Sequence, residues 1–275
     1  MTDNAKAPTS HTPEDPAVRS LRIERIEDGA REDVDEPLAV EASIELLLNG
    51  HHLVRLRCTP TDVEEMACGF LLTEGLVDEP EQILAIEYRP DAAEVAARID
   101  IPDEQIEVIR GRLTISSACG GGVSREDLTL DLNCKKKFDL TATITEKRIH
   151  ELAREFDERS KLYRETRCVH AAAMVEGDRF LAFAEDLGRH NAVDKVVGML
   201  AEPGFVFSNK ALITSGRVTL DIAAKMARLR AAFIISRAAP SLEAVEAASR
   251  FHVAIVGRLR RTAMKVYSAP WRVKD

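Results

Sequence analysis

Apolar and polar positions alternate with a period of two from Ala39 to Leu48 and again from His51 to Cys58, with Asn49-Gly50 between them. That pattern predicts two strands joined by a tight hairpin, because Asn-Gly supplies the two successive positive φ angles such a turn requires. The period then changes. Val63, Met66, Ala67, Phe70 and Leu71 recur at helical intervals behind Thr61-Asp-Val-Glu64, which has capping-box spacing, so a helix is expected as far as Glu74, packed on the hairpin. Short apolar stretches at 83–88, 95–101, 106–109 and 113–115, split by Pro90 and Pro102, suit further short strands. Residues 116–137 are expected to form a mobile loop, because near its start Ser116-Ser-Ala-Cys-Gly-Gly-Gly122 carries a cysteine, Cys119, followed by three glycines. Residues 1–20, polar and without a periodic apolar face, read as a disordered tail.

Thr145 to Lys161 has one apolar face, Ile149, Leu152, Ala153 and Phe156, and predicts an amphipathic helix. After Arg167 strands and helices alternate: strands at 168–175, 179–184, 211–214, 232–236, 253–256 and 264–267, and helices at 191–200, 220–229 and 242–250. This order predicts an α/β layer with a largely parallel sheet that binds ligands at its strand C-terminal ends. Three strand-to-helix turns, Gly188-Arg-His-Asn191, Ser215-Gly-Arg217 and Ser236-Arg-Ala-Ala-Pro240, would bring arginines and free N–H groups to one edge, an arrangement suited to anions. The expected division is therefore a tail (1–20), a smaller N-terminal α+β domain (21–144) and a C-terminal α/β domain (145–275).

Charge alters this picture only when it is divided. The 275 residues carry a formal net charge of -8, which argues against a general nucleic-acid binder. Residues 1–167 hold 22 basic and 36 acidic side chains, whereas residues 168–275 hold 16 and 10, so the C-terminal part is positive and could retain phosphate or carboxylate groups. No apolar run is long enough to cross a bilayer and the first twenty residues lack a signal core, so a cytoplasmic location is expected.

Five scattered cysteines do not make a disulfide framework, and all five are expected to be reduced. Cys119 is the candidate reactive thiol, because a glycine loop gives access and backbone N–H groups that can face a sulfur anion; Cys58, Cys68 and Cys168 read as buried. No second cysteine lies two to four residues from Cys119, so a zinc site there is unsupported. In Glu185 to Lys195, His190 and Asp194 are four apart, as are Asn191 and Lys195, so a carboxylate could orient the imidazole; the alternative is a capped helix with solvated charges. Arg258, Arg260 and Arg261 form either a phosphate clamp or an exposed basic turn.

Taken together these motifs resemble the FdhD family of formate dehydrogenase accessory sulfurtransferases. The likeness rests on Cys68-Gly-Phe-Leu-Leu-Thr-Glu-Gly75, Val169-His-Ala-Ala172, Glu185-Asp-Leu-Gly-Arg-His-Asn-Ala-Val-Asp-Lys195, Thr214-Ser-Gly-Arg217 and Ser236-Arg-Ala-Ala-Pro240, in that order. The resemblance implies a cytidine-deaminase-like three-layer α/β/α C-terminal domain and a homodimer. It also implies a carrier step, in which a cysteine desulfurase passes sulfur to Cys119 as a persulfide and the sulfur moves on to the molybdenum cofactor before insertion into formate dehydrogenase. That cofactor carries guanine nucleotides, and by the same resemblance its contacts fall on Arg258, Leu259, Arg260, Arg261, Thr262 and Ala263, with Arg189, His190 and Arg217 on the same edge. Many family members have a second loop cysteine where this chain has Gly122. A cofactor-binding chaperone without sulfur chemistry is the alternative, and a deaminase activity lacks its His-x-Glu and Pro-Cys-x-x-Cys set.

Overall fold

The computed structural model describes residues 15–102, 106, 114–115, 123–124 and 139–275. A long hairpin comes first, β1 (Val18–Glu27) paired antiparallel with β2 (Ala30–Ala39), so strand structure begins inside the stretch read as tail. Next, β3 (Ala42–Leu48) and β4 (His51–Cys58) form the expected hairpin, with Asn49 at φ 49° and Gly50 at φ 86°. The helix α1 (Val63–Thr73), then β5 (Ile83–Arg89) and β6 (Glu94–Ile99) complete a four-stranded sheet of order β4-β3-β6-β5, in which only β3 and β6 run parallel. The Asn49 side chain clasps β6: its Nδ2 donates to Ile99 O at 3.1 Å and its Oδ1 accepts from Ile99 N at 2.9 Å.

Two expectations are corrected in this half. Asp62, not Thr61, precedes the helix, in a left-handed conformation and with no side-chain cap, so the capping box does not form. Thr61 instead turns its hydroxyl towards the Lys195 ammonium at 3.4 Å. Ile106, read as strand, is helical and fully buried. Two-residue strands β7 (Thr114–Ile115) and β8 (Val123–Ser124) pair antiparallel on either side of the segment that contains Cys119, which itself lies outside the described residues, as does the rest of the predicted loop apart from β8.

The second half begins with β9 (Ile144–Thr145) and α2 (Glu146–Arg159), capped by the Thr145 hydroxyl, which accepts from Arg148 N at 3.2 Å. A short helix α3 (Lys161–Thr166) leads into β10 (His170–Glu176) and β11 (Arg179–Asp186). Then follow α4 (Arg189–Gly198), β12 (Ala211–Thr214), α5 (Leu220–Leu229), β13 (Phe233–Ser236), α6 (Leu242–Arg250), β14 (Ala254–Gly257), β15 (Lys265–Val266) and β16 (Val273–Lys274). The six-stranded sheet has the order β11-β10-β12-β13-β14-β15. Only β12–β13 and β13–β14 are parallel, so the sheet is mixed rather than largely parallel, because β10, the first strand of the β10–β11 hairpin, runs antiparallel to β12 as well as to β11, and β15 returns antiparallel to β14.

Alternate residues of these strands enter two cores. Ala172, Met174, Leu212, Ile234 and Ile255 face α4, α5 and α6, and join the residues of α1 and the first sheet in one continuous cluster. Ala171, Ala173, Ile213, Ile235 and Val256 face Ile149, Leu152 and Phe156 of α2. Helices therefore cover both faces, a three-layer α/β/α arrangement, and apolar burial on both sides explains why the strands read as unbroken apolar runs. Among the described residues no helix is long and apolar enough to cross a membrane.

The two halves meet where α1 crosses α4. A Cβ on Gly69 would lie 1.8 Å from Asp194 O, and one on Gly198 would lie 1.8 Å from Glu65 O, so the helices touch backbone to backbone and neither position admits a side chain.

Candidate functional site: a basic sheet edge

The mixed topology gathers polar groups from distant parts of the chain. Since β10 pairs antiparallel with β12, with Ala172 opposite Thr214, the start of β10 lies beside the end of β12. His170 thus meets Ser215: the Ser215 hydroxyl accepts from Ala171 N at 2.9 Å and lies 3.3 Å from His170 Nδ1. From there the three turns of the parallel strands are linked in series. Ser236 Oγ donates to Gly216 O at 2.7 Å and accepts from Ala238 N at 3.0 Å, while Ala238 O accepts from Arg258 N at 2.8 Å. These bonds fix the turns bearing Arg217, Arg237 and Arg258 relative to one another.

Two adjoining cavities open along this edge and share Asp157 and Arg237. One, of about 600 Å³, lies between α2 and the turn after β14; Lys147, Arg154, Arg237, Arg260 and Arg261 line it against only Glu151 and Asp157. The other, of about 850 Å³, is lined by Arg164, Arg167, Cys168, His170, Ser215 and Arg237, among others. Arg237 is braced from α2, donating to Ala153 O at 3.3 Å and pairing with Asp157. Burial, then the charges of Arg189 and Arg217, holds the His170 imidazole below its ordinary pKa, so it is neutral near pH 7. A groove lined by guanidinium groups and partly closed to water suits a phosphate-bearing ligand.

The predicted residues divide on this edge. Arg217, Arg258, Arg260 and Arg261 are exposed there, as are Thr262 and Ala263, and Ala263 O accepts from Arg260 N at 2.7 Å to close the turn. Leu259 is only 3% exposed and packs in the α2-side core, so it anchors the turn rather than facing a ligand. Arg189 and His190, expected to line the edge, lie buried behind it at 6% and 2% exposure, since all of α4 up to Val197 is covered by α1 and the two sheets. Cys168, read as buried, is exposed beside the larger cavity, whereas burial pushes the Cys58 thiol up to about 12 and the Cys68 thiol up to about 11, which makes both inert.

The pairing expected within α4 is also corrected. Asp194 does not orient His190; its carboxylate accepts from Lys225 Nζ at 2.7 and 2.8 Å and from Thr73 Oγ1 at 2.7 Å, and Lys225 reaches Glu74 at 2.9 Å. Asn191 and Lys195 do share a face, and both meet Asp186: Lys195 Nζ lies 2.7 Å from Asp186 Oδ2 and 2.7 Å from Thr59 Oγ1, and Asn191 Nδ2 donates to Asp186 Oδ1 at 2.9 Å and to Arg57 O at 2.7 Å. These charges are buried and paired, not solvated, and they join the two halves. Among the described residues neither ring nitrogen of His190 has a hydrogen-bond partner, Nε2 lying 3.8 Å from Asp221 Oδ2, and burial, aided by Lys225 and Arg189, drives its pKa down to about 3.

Sequence reasoning brought Arg237 to this edge with its turn but missed His170, Lys147 and Arg154 as lining residues. Lys147, His150 and Arg154 were findable, because their i, i+3, i+7 spacing sets them on one face of α2. Among the described residues no three His, Cys, Asp or Glu side chains cluster as a metal site.

A three-layer α/β/α unit with arginines on linked turns at one sheet edge, joined through α1 to a small α+β sheet, defines a class of two-part α/β proteins with a basic sheet edge. The chain belongs to the FdhD/NarQ family, whose model matches residues 39–274. It is similar to the sulfur carrier protein FdhD of Listeria innocua, 30% identical over 261 residues that cover 93% of this chain and 98% of that one. It is also similar to the sulfur carrier protein FdhD of Wolinella succinogenes, 34% identical over 259 residues, 93% of this chain and 89% of that one. The crystal structure of a formate dehydrogenase accessory protein from Desulfotalea psychrophila superimposes with a TM-score of 0.74 at 27% identity, covering 94% of this chain and all of that one.

Proposed function

We propose that this protein is a sulfur carrier serving formate dehydrogenase. In this reading a cysteine desulfurase presents a persulfide, and the Cys119 thiolate attacks its outer sulfur. The sulfur–sulfur bond to the donor breaks, the donor cysteine leaves as thiolate, and Cys119 becomes the persulfide. The recipient is the molybdenum cofactor with its guanine nucleotides, seated transiently along the basic edge as cargo. Arg260, Arg261 and Arg237 meet its phosphates, Arg217 and Arg258 extend the positive field, and the C-terminal unit takes a cytidine-deaminase-like fold. The protein works as a homodimer in the cytoplasm.

The observation that carries this reading is the arginine-lined groove at the linked turns, in a chain whose relatives are named sulfur carriers. The test is to incubate the purified protein with a cysteine desulfurase and ³⁵S-labelled cysteine, then separate it under non-reducing conditions. Label retained by the wild type, released by dithiothreitol and lost in Cys119→Ala supports the carrier. Nucleotide binding without retained label favours the chaperone reading, to which Gly122 in place of a second loop thiol gives weight.

A further inference from the structure

The larger cavity of the basic edge, about 850 Å³ and so of a size that holds a small ligand, contains three groups that a sulfur step at Cys119 leaves idle: Cys168, His170 and Ser215. Their placement follows from the backbone. Glu185 accepts from Leu162 N at 2.9 Å and from Tyr163 N at 2.8 Å, which ties the start of α3 to β11. Arg167 ends α3 in the left-handed region at φ 57°, its N donating to Tyr163 O at 2.8 Å, and Thr166 Oγ1 accepts from Cys168 N at 3.3 Å. Cys168 therefore stands on a braced turn. It is exposed and lines the cavity, Val169 is buried, and His170 follows as the first residue of β10. Ser215 lies on the Nδ1 side of the His170 ring and is itself fixed by Ala171 N, which leaves Nε2 to serve another group. A thiol, an imidazole and a hydroxyl that orients the imidazole form a nucleophile, base and orienter in series. Arg164, Arg167 and Arg237 line the same cavity and give it a positive field suited to an anionic sulfur.

We propose that Cys168 is a second sulfur-accepting thiol, which takes the outer sulfur of a persulfide in this cavity with His170 as its base. On the sulfur-carrier reading, on which this rests, the donor is the Cys119 persulfide. The Cys168 thiol gives its proton to His170 Nε2, and its sulfur attacks the outer sulfur of the donor. The donor's sulfur–sulfur bond breaks, a new one forms on Cys168, and His170 returns the proton to the departing thiolate. A persulfide and a thiol become a thiol and a persulfide, so no oxidant or reductant is consumed. Cys58 and Cys68, with their buried and raised thiols, cannot take this part.

The test uses the full chain and two sulfur donors. After incubation with a cysteine desulfurase and cysteine, the wild type is alkylated, digested with trypsin and analysed by mass spectrometry. An added sulfur atom is expected on peptide 168–179 as well as on the peptide that bears Cys119. With glutathione persulfide as donor, the Cys119→Ala variant is expected to gain sulfur on Cys168. Adding His170→Gln to that variant should slow the gain at least about tenfold with an unchanged far-ultraviolet spectrum, as loss of a general base does. A thiol that reacts merely because it is exposed would show no dependence on His170. Sulfur confined to Cys119 in the first experiment, or equal rates in the second, would overturn the proposal and leave the carrier reading standing. No sulfur from the desulfurase, together with His170-dependent loading from glutathione persulfide, would remove the carrier reading and uphold Cys168 as an acceptor.

Discussion

Helix α4 and the basic edge both looked dense in chemistry, and they use it oppositely. Along α4, Lys195, Asp194 and Asn191 are buried and fully engaged by Asp186, Thr59, Lys225, Thr73 and Arg57. At the edge, Arg217, Arg258, Arg260 and Arg261 stand in solvent on turns whose backbones are already bonded. A buried charge must be satisfied within the protein and is then committed to structure, whereas an exposed cation on a rigid turn remains available to a ligand. Burial, not motif density, separates joint from site.

The comparison is broken most forcibly at Lys195. Lys195→Met leaves Asp186 buried opposite an apolar chain, and about 3–5 kcal/mol of stability should be lost, as is usual when one partner of a buried pair is removed. Urea unfolding measures this; a loss below about 1 kcal/mol would show the pair is not a staple.

A smaller effect is expected at His190. Its folded pKa of about 3 lies below the ordinary histidine value, so between those limits the unfolded chain binds a proton that the folded chain does not. Stability therefore falls as pH drops below about 6.5, by roughly 2–3 kcal/mol on reaching pH 4.5, at 1.36 kcal/mol per pH unit. Urea midpoints across that window should slope less in His190→Gln than in the wild type. Equal slopes would mean that His190 is protonated in the fold.

The smallest change in stability belongs to the edge. Arg260→Glu/Arg261→Glu should alter unfolding by less than about 0.5 kcal/mol, as exposed substitutions do, while reducing affinity for guanosine diphosphate, the probe, at least about tenfold in fluorescence titration. Unchanged affinity would remove the groove from the proposed function.

Legibility in the sequence followed the same division. Helices α5 and α6 and strand β12 fall where periodicity places them, since each buries one stripe or one continuous apolar run. The arginine turns were legible because strand C-terminal ends in such a layer are predictable. What could not be read was anything that depends on strand order: His170 reaches Ser215 only because β10 is antiparallel to β12, and that pairing is invisible along the chain. The partners of α4 were hidden for a related reason. Thr59 and Thr73 come from the other half of the molecule, and spacing within one helix offered Asp194 to His190 instead.

At the α1–α4 crossing no side chain stands between the two backbones. Neither helix can slip past the other by part of a turn without main chain climbing over main chain, so the joint acts as a weld and not a bearing. The arginine rim therefore keeps one fixed stance towards the N-terminal sheet, and any travel that the proposed carrier step needs does not come from this joint.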